Sequence, residues 1–294
     1  MHVARTHRHA WSSRYCRAVA ARLVLGTAQF GVDYGVTNSR GRVPDDDLGA
    51  ILDLAVSTGV TSVDTATEYG DAELRLRTWA DRLRVQTKIR AIGGIVSPDI
   101  TTSCERLGVE SLDAALIRFW FELSPLEQQR AAEGLQEARG AGMISRVGAS
   151  VYDDVELATV LDCFATPDVV QVPASVVDQR LVGSLNIRKL LDRGCAIQVR
   201  SAYLQGLLIT NHSDHPDVMR FRNSCWQAGL DPLVVCLTFL RDLSWVDEVV
   251  IGVTSAAELR AAVSAWQAPA LSIETEQWAS SDSDLLDPRR WKRP

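Results

Sequence analysis

The sequence predicts a (β/α)8 barrel, the TIM-barrel type of α/β fold, on three observations. Eight short apolar runs alternate with amphipathic segments, and the connections between them are only a few residues long. Polar residues gather at the C-terminal ends of the runs, where a barrel of this type carries its chemistry. The 294 residues are enough for one such barrel, which takes about 250. An open doubly wound sheet is the competing architecture, but no Gly-x-Gly-x-x-Gly follows the first strand.

In chain order the expected strands are 23–27, 61–64, 84–88, 114–118, 145–149, 169–172, 196–200 and 248–252. Most are continuous and rich in Val, Ile and Leu, as strands covered on both faces should be. The first expected helix, 44–57, carries Asp45, Asp46 and Asp47 in its first turn, where carboxylates favour the positive end of the helix dipole. The others follow at 72–81, 98–107, 125–138, 153–161, 181–192, 214–228 and 256–265, with an additional one at 232–243 before the last strand. This divides the chain into a basic arm at 1–20, a single barrel at 21–268 and a tail at 269–294. The arm holds Arg5, Arg8, Arg14 and Arg17 and no acid, and reads as an unstructured extension or a segment packed on the barrel. The tail is expected over the barrel mouth, with Trp278 or Trp291 as a lid, or packed beside it.

Composition narrows the function. A net charge of −6 argues against a nucleic-acid surface, and no apolar run reaches the roughly 18 residues of a membrane helix. Six scattered cysteines without a CxxC pair suit a reduced, cytoplasmic protein. His212 and His215 share one polar loop without the further ligands a metal site needs, so no metal is expected.

The chemistry is concentrated in three residues. Asp64 ends a strand-like run, Tyr69 follows five residues later in a loop, and Lys88 ends the next apolar run. A phenol titrates at about 10, and a nearby buried cation must stabilise its phenolate by a few kcal/mol before it can pass a proton near neutral pH. Taken singly, Tyr69 reads as a turn residue, Lys88 as a surface ion pair and Asp64 as a turn cap. Together they make a proton-handling constellation.

The ending Asp284 to Trp291 resembles that of bacterial aldo-keto reductases of the sugar and small-metabolite branch, and several further segments occur in the order of that superfamily. They are Leu23-Val-Leu-Gly-Thr-Ala-Gln-Phe-Gly31, Gly59 to Gly70, Ser103 to Asp113, Val147-Gly-Ala-Ser150, Val170-Gln-Val-Pro173, Ser201 to Gly206 and Val250 to Ser255. The resemblance implies a nicotinamide-dependent reductase of a small carbonyl compound. Tyr69 would be its proton donor, Lys88 would lower the phenol pKa, and Asp64 would orient the lysine. Ser150 and Gln171 would hold the nicotinamide carboxamide, and the loop with Ser201, Leu204 and Gly206 would line the pyrophosphate. Gly26, Thr27, Arg200, Gly252, Thr254, Ser255 and Glu258 complete the implied cofactor contacts.

Two departures from the family pattern qualify this expectation. Where most members carry a histidine after the fourth strand, this chain has Arg118, which makes the expected tetrad Asp64, Tyr69, Lys88 and Arg118. Arginine cannot give up its proton, but it can orient a carbonyl oxygen or bind an anion, so the substrate is expected to be acidic or sugar-like. A second cation is also expected to lower the Tyr69 pKa and favour the phenolate. Alternatively, Arg118 points at Glu68 or Glu122 and is structural. At the adenosine end, Glu258 and Ala262 stand where a 2′-phosphate reader is usual; the cofactor is NADP or NAD, NADP being favoured by the resemblance and weakened by Glu258 and Ala262, with Arg260 as a compensating cation. An isomerase, epimerase or lyase using a Tyr69 phenolate with Lys88 and Arg118 is the second reading, and a ligand-binding barrel without catalysis the third.

Overall fold

The structure, a computed structural model, describes residues 20–291. The expectations for the basic arm and for Cys16 therefore fall outside the described residues, apart from residue 20 at the end of the arm. The strands are β1 (Arg22–Gly26), β2 (Ser62–Ala66), β3 (Arg84–Ile89), β4 (Leu112–Ile117), β5 (Ile144–Ser150), β6 (Val169–Pro173), β7 (Ala196–Arg200) and β8 (Glu248–Gly252). All pair in parallel in sequence order, and β8 closes on β1 through the register Gly26 opposite Gly252. The chain is a (β/α)8 barrel.

The helices are α1 (Ala28–Gly31), α2 (Asp45–Ser57), α3 (Ala72–Leu76), α4 (Ser97–Leu107), α5 (Pro125–Gly140), α6 (Asp154–Cys163), α7 (Leu185–Asp192), α8 (Pro216–Gln227), α9 (Pro232–Asp242), α10 (Ala256–Trp266) and α11 (Ser283–Leu286). Four differ from the sequence expectation, one of them the short α11 in the tail, which was not anticipated. The one-turn helix α1 was not anticipated. The helix expected at 72–81 tightens after Leu76 into a 3-10 segment at Arg77–Arg82. The helix expected from 181 begins at Leu185, because the Ser184 hydroxyl accepts the Asn186 and Ile187 N–H groups and so caps it there.

Strand alternation divides the core in two. Leu25, Val63, Ile89, Ile117, Val147, Val172, Val199 and Ile251 point outward and are fully covered by the helices. Each such side chain contributes roughly 1.5–3 kcal/mol of burial. Inside the barrel only Ala114, Leu116 and Val169, backed by Ala196, form an apolar cluster. The interior also holds a buried polar set, Asp64, Gln86, Lys88, Gln171, Gln198 and Glu248. Gly148 lets β5 meet β6 closely: a Cβ there would lie 1.7 Å from the Val169 carbonyl oxygen.

The tail crosses the barrel rim without a tryptophan lid. Trp278 is 3% exposed and packs edge-on against Phe221 at 5.2 Å, while Trp291 donates its ring N–H to the Leu285 carbonyl. Pro288 is the tail residue that reaches the cleft at the barrel mouth. His215 caps α8 and contacts Asp282 of the tail at 3.1 Å. Among the described residues no cluster of His, Cys, Asp and Glu could hold a metal ion, and no helix is long and apolar enough to cross a membrane.

Candidate active site

A cleft of about 340 Å³ opens at the C-terminal end of the barrel, where the strand ends converge. Asp64 and Lys88 lie at its floor as an ion pair in contact, with side chains 5% and 4% exposed. The Asp64 side chain is therefore engaged across the barrel and does not cap the turn that follows it. Its other oxygen accepts the Gln86 and Gln171 amide N–H groups at 2.8 and 3.1 Å.

That contact belongs to a longer chain of bonds. Both amides also donate to the Gln198 carbonyl oxygen, at 2.7 and 2.6 Å, and Gln198 donates to Glu248 at 2.5 Å. Register places these residues side by side: Asp64 opposite Gln86, Gln171 opposite Gln198, and Gln198 opposite Glu248. Two acceptor-only carboxylates at its ends fix the direction of every amide between them. Both Gln171 N–H groups are thereby used, and its carbonyl already accepts the Ser150 hydroxyl at 2.9 Å. Toward the cleft Ser150 and Gln171 thus offer acceptor oxygens only.

Tyr69 is set above this floor by a tight turn. Its N–H bonds to the Ala66 carbonyl at 3.0 Å, and its own carbonyl accepts the Ala72 N–H that starts α3. The turn rests on α1 so closely that a Cβ on Gly31 would lie 1.7 Å from the Tyr69 carbonyl oxygen. Gly70, at φ +57°, occupies the left-handed region in the same contact. Lys88 Nζ lies 5.1 Å from the centre of the Tyr69 ring, and the Arg118 guanidinium carbon 5.3 Å from it. Arg118 follows β4 directly, its N–H bonded to the Ile89 carbonyl at 2.7 Å, and pairs with Glu68 at 3.1 Å. Glu68 is shared with Arg90, which also holds Glu122.

The electrostatics correct one expectation. The Tyr69 phenol is raised above its ordinary range, first by burial and then by Asp64, and the lowering by Arg118 and Arg200 does not offset this. The phenol is the stable form of this side chain, not the phenolate. Burial likewise pulls Lys88 below its ordinary value, against the opposing pull of Asp64. Tyr34, beside Tyr69, is pushed up to about 12, again chiefly by burial.

The cleft brings together most residues singled out in the sequence. Asp64, Tyr69, Lys88, Arg118, Ser150, Gln171 and Arg200 line one end, with Gly26 and Thr27; Ser201, Gly206, Gly252, Thr254 and Glu258 line the rest. Leu204 and Ser255 do not line it. Leu204 is fully buried beneath its loop, and the Ser255 hydroxyl caps α10 by accepting the Glu258 N–H at 3.2 Å. Arg260 is exposed outside the cleft, whereas Arg40 enters from the segment between α1 and α2 and donates to the Thr254 carbonyl at 3.2 Å. The Glu258 carboxylate accepts the Thr254 N–H and hydroxyl at 2.6 and 2.9 Å.

Sequence reasoning missed Tyr34, Arg40, Tyr152 and Gln205, all of which line the cleft, and the Gln86–Gln198–Glu248 floor. The floor had a visible signal, since Gln86 and Gln198 interrupt apolar strands and Glu248 opens one. The loop residues had none, because tertiary contacts bring them in: Thr37 donates to the Gln205 carbonyl at 2.8 Å and Val36 N–H to its side chain at 3.2 Å.

The barrel has relatives among known proteins. The aldo/keto reductase family model matches residues 22–283. The chain is similar in fold to an aldo-keto reductase from Bacillus halodurans, determined in a holo form, with a TM-score of 0.69, 17% identity, and 87% and 90% of the two chains covered. It is also similar to a Pseudomonas aeruginosa protein described as an aldo-keto reductase, with a TM-score of 0.64, 19% identity, and 84% and 90% covered. No curated protein matches the sequence. A family match over nearly the whole described chain, on a closed eight-stranded barrel, makes this protein a member of the aldo/keto reductase family of oxidoreductases.

Proposed function

We propose that this protein reduces an aldehyde or ketone of a small polar metabolite, an oxo acid or keto-sugar, using NADH or NADPH. The observation that carries the reading is the placement of Tyr69 in one cleft between the Asp64–Lys88 pair and Arg118. Arg118 is read as standing in the place of the family histidine.

The residues present fit a nicotinamide nucleotide. Ser150 and Gln171 offer acceptor oxygens, the match for the N–H groups of a carboxamide. Ser201, Gly206 and Thr254 line the continuation of the cleft, where the rest of the nucleotide would run. Glu258 accepts bonds from Thr254 at the start of α10 and brings a negative charge there, which favours a ribose diol over a 2′-phosphate and hence NADH. The bound nucleotide supplies a hydride to the carbonyl carbon.

Tyr69 gives its hydroxyl proton to the carbonyl oxygen as that oxygen gains charge. Lys88 and Arg118 then stabilise the phenolate left behind, and Arg118 can also orient the carbonyl before reaction. Asp64 holds Lys88 in place, itself held by Gln86 and Gln171. The raised Tyr69 pKa keeps the proton on the phenol and so weighs against the second reading, a phenolate-based isomerase or lyase; transfer of that proton depends on the charge that develops on the carbonyl oxygen.

The test combines binding with turnover. Purified protein should show fluorescence quenching with NADH or NADPH and oxidise one of them when offered small oxo compounds. Tyr69→Phe should bind the nucleotide with nearly unchanged affinity and lose turnover by about a hundredfold or more. A Tyr69→Phe variant that remains fully active removes the proton-donor role, and absence of binding by either nucleotide removes the reductase reading.

A further inference from the structure

Arg200 ends β7 inside the cleft, half-buried, and among the described residues no carboxylate lies in ion-pair contact with it. Its hydrogen bonds go to neutral oxygens: the Val151 carbonyl at 3.0 Å and, weakly, the Ser201 hydroxyl at 3.4 Å. Its guanidinium carbon stacks 4.1 Å from the centre of the Tyr152 ring, and Arg289 of the tail stacks on the same ring at 3.9 Å. Arg289 has its own carboxylates, Glu156 and Asp287. Arg118 shares Glu68 with Arg90. Among the described residues Arg200 is therefore a fixed cation without a counter-ion, in the cleft that Tyr34, Tyr69 and Tyr152 also line.

A half-buried, uncompensated guanidinium costs solvation free energy and is retained where an anion completes it. We propose that Arg200 and Arg118 together form an anion subsite beside Tyr69, so that the substrate is a carbonyl compound bearing a carboxylate or phosphate near its carbonyl group. This rests on the reductase reading and narrows its substrate class, and it moves Arg200, which the family resemblance gives to the cofactor, to the substrate side of the cleft. Both guanidiniums line the cleft with Tyr69 and Tyr34, Arg118 5.3 Å from the centre of the Tyr69 ring and Arg200 4.1 Å from that of Tyr152. The adenosine end is separate, since Glu258 lines it with a negative charge. Tyr152 holds the Arg200 plane, and the bonds to Val151 and Ser201 use two of its five N–H donors, so donors remain for an anion.

The experiment compares matched substrates with the intact protein and saturating reduced nucleotide. The pairs are 2-oxobutanoate with 2-oxobutanamide, and glyceraldehyde 3-phosphate with glyceraldehyde. At least one anionic member should exceed its neutral partner in kcat/KM by tenfold or more, and that preference should shrink as salt is raised. The pair that shows it identifies the anion as carboxylate or phosphate. Arg200→Met should reduce the ratio by about tenfold, and Arg200→Lys should recover part of it, because charge and not packing sets the ratio. Calorimetry with the unreactive dianion succinate, against succinamide, should show the same loss without any turnover. Ratios near one in both pairs, with neutral carbonyls still reduced, overturn the anion subsite and leave the reductase reading standing. A ratio unmoved by Arg200→Met also overturns it. Failure of the wild-type protein to bind either nucleotide overturns the reductase reading and this inference with it.

Discussion

Replacing Lys88 by Met tests whether the floor of the cleft is held by charge. Asp64 and Lys88 are in contact, each about 5% exposed or less, so their attraction is scarcely screened by water. At an effective dielectric of about 20, two unit charges 4 Å apart attract by about 4 kcal/mol, and removing one partner of a buried pair costs about 3–5 kcal/mol. Asp64 keeps its bonds from Gln86 at 2.8 Å and Gln171 at 3.1 Å, which puts Lys88→Met at the lower end, about 3 kcal/mol. In a chain of this size that corresponds to a fall in Tm of about 6 °C or more. Adding Asp64→Asn removes the stranded charge, so the double variant should recover about 2 kcal/mol relative to the sum of the single changes. Urea unfolding of the four proteins measures each value through the shift in midpoint. A Lys88→Met protein within about 1 kcal/mol of the parent, or strictly additive changes, would refute a charge-held floor.

Three other outcomes follow from the same geometry. Because burial raises the Tyr69 pKa above its ordinary value of 10.0, the acid form prevails below that pH, and kcat/KM for reduction should show no descending limb from Tyr69 up to pH of about 10; a limb that appears near neutral pH and disappears in Tyr69→Phe contradicts this. Glu258→Arg exchanges a repelling for an attracting charge at the adenosine end and should move the NADPH-to-NADH affinity ratio upward by about tenfold or more, measured by fluorescence titration. Asp217, bonded to Ser280, and Asp282, bonded to His215, both titrate below the usual aspartate value of 3.8. Depressed carboxylate pKa values contribute stability above the unfolded value that is lost as pH falls through the folded one, so the tail should become protease-sensitive only below a pH of about 4; cleavage that already begins near neutral pH would show that these bonds do not secure it.

The barrel was legible because its strands advertise themselves. The outward faces of β1 to β8 must be apolar to meet the helices, so Leu25, Val63, Ile117 and Ile251 sit in recognisable runs. Asp64 and Lys88 stood out for the complementary reason: a charged residue at the end of such a run is costly unless it is paired or used. Helix limits were less legible, because the start of α7 is set by a hydroxyl cap at Ser184 and the end of α3 by a tightening turn. The protonation state of Tyr69 could not be read at all. The sequence showed cations nearby but not the burial that outweighs them.

The order of residues by itself determined the eight-stranded barrel, the family and the trio Asp64, Tyr69 and Lys88, since periodicity and strand-end position are local properties of the chain. The tertiary structure alone decided which charges are matched. It gave Arg118 to Glu68, turned Glu258 onto Thr254, brought Arg40 and Tyr34 to the cleft, and left Arg200 without a carboxylate partner among the described residues. Ion pairing and desolvation depend on distances of a few ångströms between residues far apart in sequence, and only closure of the barrel sets those distances.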